Sequence, residues 1–473
     1  MGEKCFCHLN GIAVKDATAR KILKGCVTPQ LYGAVGDGVT DDTEAINKAL
    51  TSGTDVYFPT ANYLVDAETM LQVKSNTHID LGGSTIICKT NSVETYYIFY
   101  LKDCENVVIE NGIIIGDRET HTGTTGEWGH GIRLENAHNV ILRNLTVNKC
   151  WGDGCVISAG STHITVDTCK FDYNRRQGIT VGDCKYVNII NSYFANTSGT
   201  NPQAGIDVEP NANENASHIM ICNNIFENNT GSGIQANGGE DYSRVTDLII
   251  KCNLFMGNSE SDLNGLGINF SFVKNATIID NNFYNIKNTP IQIAHCINNS
   301  ILNNVIEECE FLRMIYIHTS DNTKIQNNII RNSNSQYIIF ITMSKHCVLS
   351  GNTISHIGVI DDTIESIVFF LTGDYNDQDG SCNNVINSNT FIEINFKLFG
   401  NLSRNSKNNC FSNNDCHENT FEYLVRTNGH CFDTRVINNI MSSGTNGNFV
   451  GADYTTTGFY GTTLNNIIDF ALV

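Results

Sequence analysis

Asp207 and Glu209 stand at alternate positions of the segment GIDVEP (205–210), interleaved with Ile206 and Val208. Successive side chains of an extended strand point to opposite faces, so the apolar pair faces one way and both acids the other. Their Cα atoms are then about 6.5–7 Å apart, which leaves room for a water between the two carboxyl groups. An inverting glycosidase uses that arrangement: one acid protonates the glycosidic oxygen while the other activates water. Like-charge proximity also raises the pKa of one member, as a general acid requires. The plainer reading is a pair of solvated acids on a sheet's outer face, some of them matched by arginines.

The elements that position these acids belong to a repeat. An apolar pair, one or two Asn and an aromatic or aliphatic residue recur as NVILRNLTV (139–147), IMICNNIF (219–226), TIIDNNFY (277–284), KIQNNII (324–330) and RVINNIM (435–441). A second phrase interleaves with it: GIRLEN (131–136), GCVISA (154–159), GITVGD (178–183), GIDVEP (205–210), GIQANG (233–238) and GINFSF (267–272). Short strands in a repeat of about two dozen residues, with no helical period between them, predict an all-β parallel β-helix. Its coils stack about 4.8 Å apart around a shared apolar core. Asn at turn positions tolerates left-handed backbone and forms side-chain ladders along such a stack. The segment 32–53 reads as a loop and a helix, with capping-box spacing at Asp41 and Glu44 and an apolar stripe at Ala45, Ile46, Ala49 and Leu50. This helix is expected to cap the first coil.

Stacking turns equal offsets into columns. Two residues after the recurring Gly come Arg133, Val156, Thr180, Asp207, Gln235 and Asn269; four after come Glu135, Ser158, Gly182, Glu209, Asn237 and Ser271. His130, Asp153 and Gln177 immediately precede their glycines. Acids, arginines and a histidine therefore concentrate between 130 and 209, whereas the later coils show amides and hydroxyls. Trp128 and Trp151 each lie three residues before a column Gly, and Arg175 and Arg176 occupy the corresponding turn of the next coil. Flat aromatics suit sugar faces and Arg forks suit carboxylates or sulfates, although either Trp serves equally as packing. Asp153, about 10 Å along the axis from Asp207, is placed to assist or to bind substrate. The expected site is Asp207, Glu209 and Asp153 as catalytic residues, with Arg133, Arg175, Arg176, His130, Glu135, Trp128 and Trp151 lining a groove.

With VYFPTANYLVD (56–66), the segment 32–53 resembles the pectate-lyase-like superfamily of right-handed β-helices, which includes polygalacturonases, rhamnogalacturonases, alginate epimerases and phage tailspike depolymerases. The resemblance covers roughly residues 30 to 350 and implies the fold more strongly than the reaction. It implies a polysaccharide substrate and, for a tailspike, a homotrimer on a virion tail, cytoplasmic before release. GIDVEP is similar to the catalytic strand of the alginate epimerases, in which Gly, an aromatic, Asp, Pro and His follow in order. Asp207 matches the Asp, and Glu209 stands where the His would be. The departure favours hydrolysis over a lyase or C5-epimerase reaction, for which Arg176 or His130 would have to be the base. The GHG at 129–131 resembles a polygalacturonase motif, but that family's two other motifs are missing from the coils before it. A non-catalytic receptor-binding spike is the third reading.

A net charge of −19 makes nucleic acid a poor partner. It also argues against a dense polyanion, while the adjacent arginines argue for at least one acidic sugar. No apolar run long enough for a membrane helix occurs, and no signal peptide is evident in the N-terminal stretch. The eighteen scattered cysteines read as reduced core thiols. No metal site is expected at Cys5 and Cys7, and no cofactor is called for, calcium being the one ion left open. The insertion at 373–381 fails the EF-hand spacing. Residues 1–30 read as an arm or attachment segment, 31–355 as capped β-helix, and 356–473 as irregular coils, a cap or an oligomerisation region.

Overall fold

The computed structural model describes residues 6–9, 12–15, 25–257, 265–373, 380–394, 396–416, 419, 421, 423–428, 431–442, 450–452, 460–464 and 467–469. Cys5 and most of the insertion at 373–381 lie outside them. The chain forms two compact units, 1–220 and 221–473.

In the first unit, Phe6–Leu9 and Ile12–Lys15 form an antiparallel pair within the expected arm. The helix spans Thr43–Ser52 and buries Ala45, Ile46, Ala49 and Leu50, as the stripe predicts. Its cap differs from the capping-box expectation. Asp42 is the N-cap residue and makes no side-chain capping bond. Its carboxylate instead accepts from the Val35 and Gly36 amides at 2.7 and 3.0 Å. Asp41 accepts from the Thr43 amide at 3.1 Å, and Glu44 turns outward to Lys48 at 2.6 Å. The loop 35–36, not the box, uses the acid that the helix end supplies.

Parallel coils follow. The strands Thr95–Lys102, Trp128–Glu135, Cys155–Ser158, Ile179–Val181 and Ile206–Val208 pair in sequence. Their register aligns Ile132, Cys155, Ile179 and Ile206, all without exposure, and aligns Arg133, Val156, Thr180 and Asp207 on the other face. The glycine column has a steric cause. A Cβ on Gly131, Gly154 or Gly178 would lie 2.5–2.7 Å from the carbonyl oxygen of the next coil's glycine. Phe171 and Phe194 stack in the core, with centroids 5.2 Å apart.

The second unit continues the pattern, and its parallel pairing extends past residue 355 to Ile467–Asp469. Here the Asn-Asn pairs divide their labour. The first position takes left-handed backbone, as at Asn223, Asn303 and Asn327. The second is buried in a ladder: Asn304 donates from its amide and its Nδ2 to Asn328 Oδ1 at 2.9 and 3.0 Å, and accepts the same two bonds, both at 3.0 Å, from Asn281, whose left-handed predecessor is Asp280. Each Nδ2 also reaches a main-chain carbonyl, so buried amides are matched without water.

Candidate active site on the parallel coils of residues 95–209

The register brings Asp207, Asp153, Arg176 and His130 into one connected cluster. Outward-facing Asp207 is not solvated; it has no exposed surface. Gln177 Nε2 donates to its Oδ2 at 2.6 Å, while its Oδ1 is buried without a hydrogen-bond partner. Burial, then the neighbouring Glu209 charge, pushes its pKa up to about 8, against a smaller opposing pull from Arg176. Glu209 lies just beyond the strand, is exposed, and donates its amide to Val181 O at 3.0 Å. The two acids therefore occupy opposite environments although they alternate along one segment.

Asp153 is also buried. Arg176 Nη1 approaches its carboxylate at 3.2 and 3.4 Å, and Thr180 Oγ1 donates to it at 2.9 Å. Burial raises its pKa to about 6, with Arg176 restraining the rise. The Arg176 Nε also faces Glu127 at 3.4 Å. His130 Nδ1 accepts the Asp153 amide at 3.0 Å, which fixes a neutral tautomer with its proton on Nε2. Burial and the charges of Arg133 and Arg176 hold the His130 pKa well below its ordinary value. The 3.7 Å approach of His130 to the Asp153 carboxylate is accordingly not an ion pair. The imidazole lies parallel to Tyr97, with centroids 5.7 Å apart.

The remaining expected residues fall outside this cluster. Arg133 Nε donates to Glu135 at 3.1 Å, and Glu135 also accepts from Tyr100 at 2.5 Å. Arg175 covers Trp151 at 3.9 Å and donates to Gly126 O and Trp151 O at 2.9 and 3.2 Å. Trp151 also stacks on His121 at 4.1 Å, and His121 Nδ1 is bound to buried Asp117 at 2.8 Å. Its ring is thus engaged by protein, whereas Trp128 is 52% exposed. Tyr97 and Tyr100 escape a search by glycine offset because TYYIFYLK (95–102) has no column Gly, and Asp117 and His121 escape it because they lie in the connection after Glu105–Ile115. The clustering of Tyr96, Tyr97, Phe99 and Tyr100 in that strand is the signal that would have found the tyrosines. Among the described residues, no group of three or more His, Cys, Asp or Glu is arranged to hold a metal.

Stacked parallel coils of this kind define a β-solenoid. The chain belongs to the right-handed β-helix family: the model described as "Right handed beta helix region" matches residues 69–255 and 200–354. "Rhamnogalacturonase A/epimerase, pectate lyase-like" matches 30–106. Protein YclG of Bacillus subtilis (strain 168) is 27% identical over 64% of this chain and 62% of its own length. The pre-neck appendage protein of Bacillus phage phi29 is 25% identical over 42% of this chain and 26% of its own. The match thus spans less than two thirds of each of these relatives. Among solved structures, PfbA, a surface adhesin of Streptococcus pneumoniae, superposes with TM-score 0.60 at 22% identity, covering 71% of this chain and 91% of that one. The Azotobacter vinelandii mannuronan C-5 epimerase AlgE4 A-module gives 0.56 at 16%, covering 70% and 96%. The Dettilon tailspike protein gives 0.55 at 19%, covering 73% and 70%. At these identities the structural likeness establishes the fold.

Proposed function

We propose that the chain is a spike that hydrolyses a cell-surface or extracellular polysaccharide, with Asp207 as general acid and Glu209 as general base. The observation that carries this reading is the unequal environment of the two carboxyls. Asp207 keeps its proton at neutral pH because it is buried beside Glu209, while Glu209 faces water. Gln177 fixes one Asp207 oxygen and leaves Oδ1 to deliver the proton to the leaving glycosidic oxygen. Glu209 takes a proton from the water that attacks the anomeric carbon. The cycle ends with Asp207 ionised and Glu209 protonated, and exchange with solvent restores both. Asp153 and Arg176 act as a positioning pair beneath them. A virion-borne homotrimer follows from the resemblance to tailspikes, and sedimentation of the purified chain tests it.

The bases required by a lyase or epimerase are poorly disposed. His130 Nδ1 is occupied by an amide, and the Asp153 charge strengthens the hold of Arg176 on its proton. One observation favours a non-catalytic glycan-binding spike instead: Asp207 has no accessible surface, so substrate must displace its cover before the acid can act. Incubation with a glycan panel, read by size-exclusion chromatography and by absorbance of unsaturated products, separates the three readings. For the hydrolase, Asp207→Asn and Glu209→Gln each lower kcat by about 100-fold or more, and wild-type cleavage falls as pH rises through about 8, where Asp207 loses its proton. Unchanged cleavage in both variants removes these residues from the reaction.

A further inference from the structure

Within the second unit the outward column two residues after the turn runs Gln235, Asn269, Gln292, Tyr316, Phe340, Phe370 and Asn401, in continuous parallel register. The recurring glycine ends at Gly267; its counterparts in the next two coils are Pro290 and Met314. A polar face thus becomes aromatic over three successive rungs spaced about 4.8 Å apart.

Arg313 lies against this aromatic patch. Its guanidinium sits 4.4 Å from the Tyr316 ring centroid and 4.6 Å from that of Phe340. Tyr337, the register partner of Arg313 on the next coil, packs on Phe340 at 5.2 Å and on Phe370 at 5.6 Å. Several other arginines face acids: Arg133 meets Glu135, Arg143 meets Glu110, Arg176 meets Asp153, Arg331 meets Glu307, and Arg426 meets Glu365. Arg313 has no carboxylate within ion-pair distance among the described residues, and its Nε is buried with no acceptor. Arg118 and Arg175 also lack a carboxylate partner, but their guanidinium groups donate to carbonyl or hydroxyl oxygens, whereas that of Arg313 meets no hydrogen-bond acceptor among the described residues. Burying a donor without an acceptor is costly, so the arrangement is more stable once an anion arrives. Two rings hold the fork in place, which reduces the ordering cost of a planar two-pronged contact to an oxyanion. Tyr316, which the guanidinium covers on one side, and Phe370, beside Phe340 on the following coil, are partly exposed and offer apolar surface suited to a sugar ring.

We propose that Arg313, Tyr316, Phe340, Tyr337 and Phe370 form a binding site for an anionic sugar residue, with the carboxylate or sulfate on Arg313 and the ring against Tyr316 or Phe370. The site stands on its own observations and holds whether or not Asp207 and Glu209 cleave the glycan. It also supplies what the sequence sought at Arg175 and Arg176, whose donors are engaged by main-chain carbonyls and by Asp153.

The test is calorimetric titration of the full chain with tetragalacturonate, with its methyl ester, and with a sulfated galactan tetrasaccharide. At least one of the two anionic probes binds, and the ester binds more weakly than the free acid wherever the acid binds. Arg313→Gln and Tyr316→Ala each weaken that binding about tenfold or more. Arg313→Lys, which keeps the charge and loses the fork, recovers only part of it. Arg331→Gln, which removes a surface guanidinium already paired with Glu307 outside the patch, leaves the affinity unchanged, so that a loss at 313 reports the unpaired fork. Thermal melts confirm that each variant is folded, and for a variant that fails to fold the remaining substitutions at 313 and 316 carry the test. Tetragalacturonate binding alone assigns the anion as carboxylate; binding of the galactan alone assigns it as sulfate. Failure of both anionic probes to bind overturns the proposal, as does binding that survives both Arg313→Gln and Tyr316→Ala.

Discussion

Asp207 has no exposed surface and one oxygen without a partner, and this has a consequence for stability as well as for chemistry. An unfolded aspartate titrates near 4, whereas folded Asp207 titrates at about 8. Between those values the native state holds a proton that the unfolded state has released. Stability therefore falls as pH rises from about 4 to about 8 and levels off above that. Asp153 adds a smaller loss between about 4 and about 6. Asn at 207 is neutral in both states. Thermal melts at pH 5 and pH 8 should show a drop of several degrees in the wild type and a smaller one in Asp207→Asn. Equal drops would mean that Asp207 is ionised in the native protein.

Among the elements, the Asn ladder is where composition becomes architecture. Two adjacent Asn residues look interchangeable in sequence, yet Asn303 provides left-handed backbone and Asn304 a buried acceptor for two donors of Asn281. Removing that acceptor leaves two buried N–H groups unmatched. Asn304→Ala is expected to cost about 2–4 kcal/mol in urea unfolding. Asn303→Gly, which keeps the backbone conformation and loses one exposed bond to Asp280, should cost under about 1 kcal/mol. Similar losses at both positions would refute the division of roles. The helix end teaches the converse lesson. Capping-box spacing was present, but the nearby loop amides captured Asp42 and left Glu44 to Lys48.

For the molecule as a whole, the sixteen cysteines from Cys26 to Cys431 are free thiols, and most are buried. Burial pushes their pKa values up, as at Cys296 and Cys347, each at about 12, so thiolate is scarce where packing is dense. A reductant should leave the melting temperature unchanged. Among the described thiols, exposed Cys252 should react first with a thiol reagent, with Cys155 and Cys347 protected until unfolding. Peptide mapping after timed labelling reads the order. No helix among the described residues is long and apolar enough to cross a membrane.

The repeat, the inward ladder of Ile132, Cys155, Ile179 and Ile206, and the shared face of Asp153, Arg176 and Asp207 were legible from the amino-acid order. Spacing alone determines them, because a solenoid converts equal offsets into neighbours. Tertiary structure decided what spacing does not encode. It buried Asp207 and left Glu209 in water, turned His130 into an amide acceptor, and engaged Trp151 and Arg175 with each other. It also aligned Tyr316, Phe340 and Phe370 across coils that lack the glycine marker. The physical reason is that solvation and partner choice depend on everything packed around a side chain, and most of those neighbours lie a full coil away in sequence.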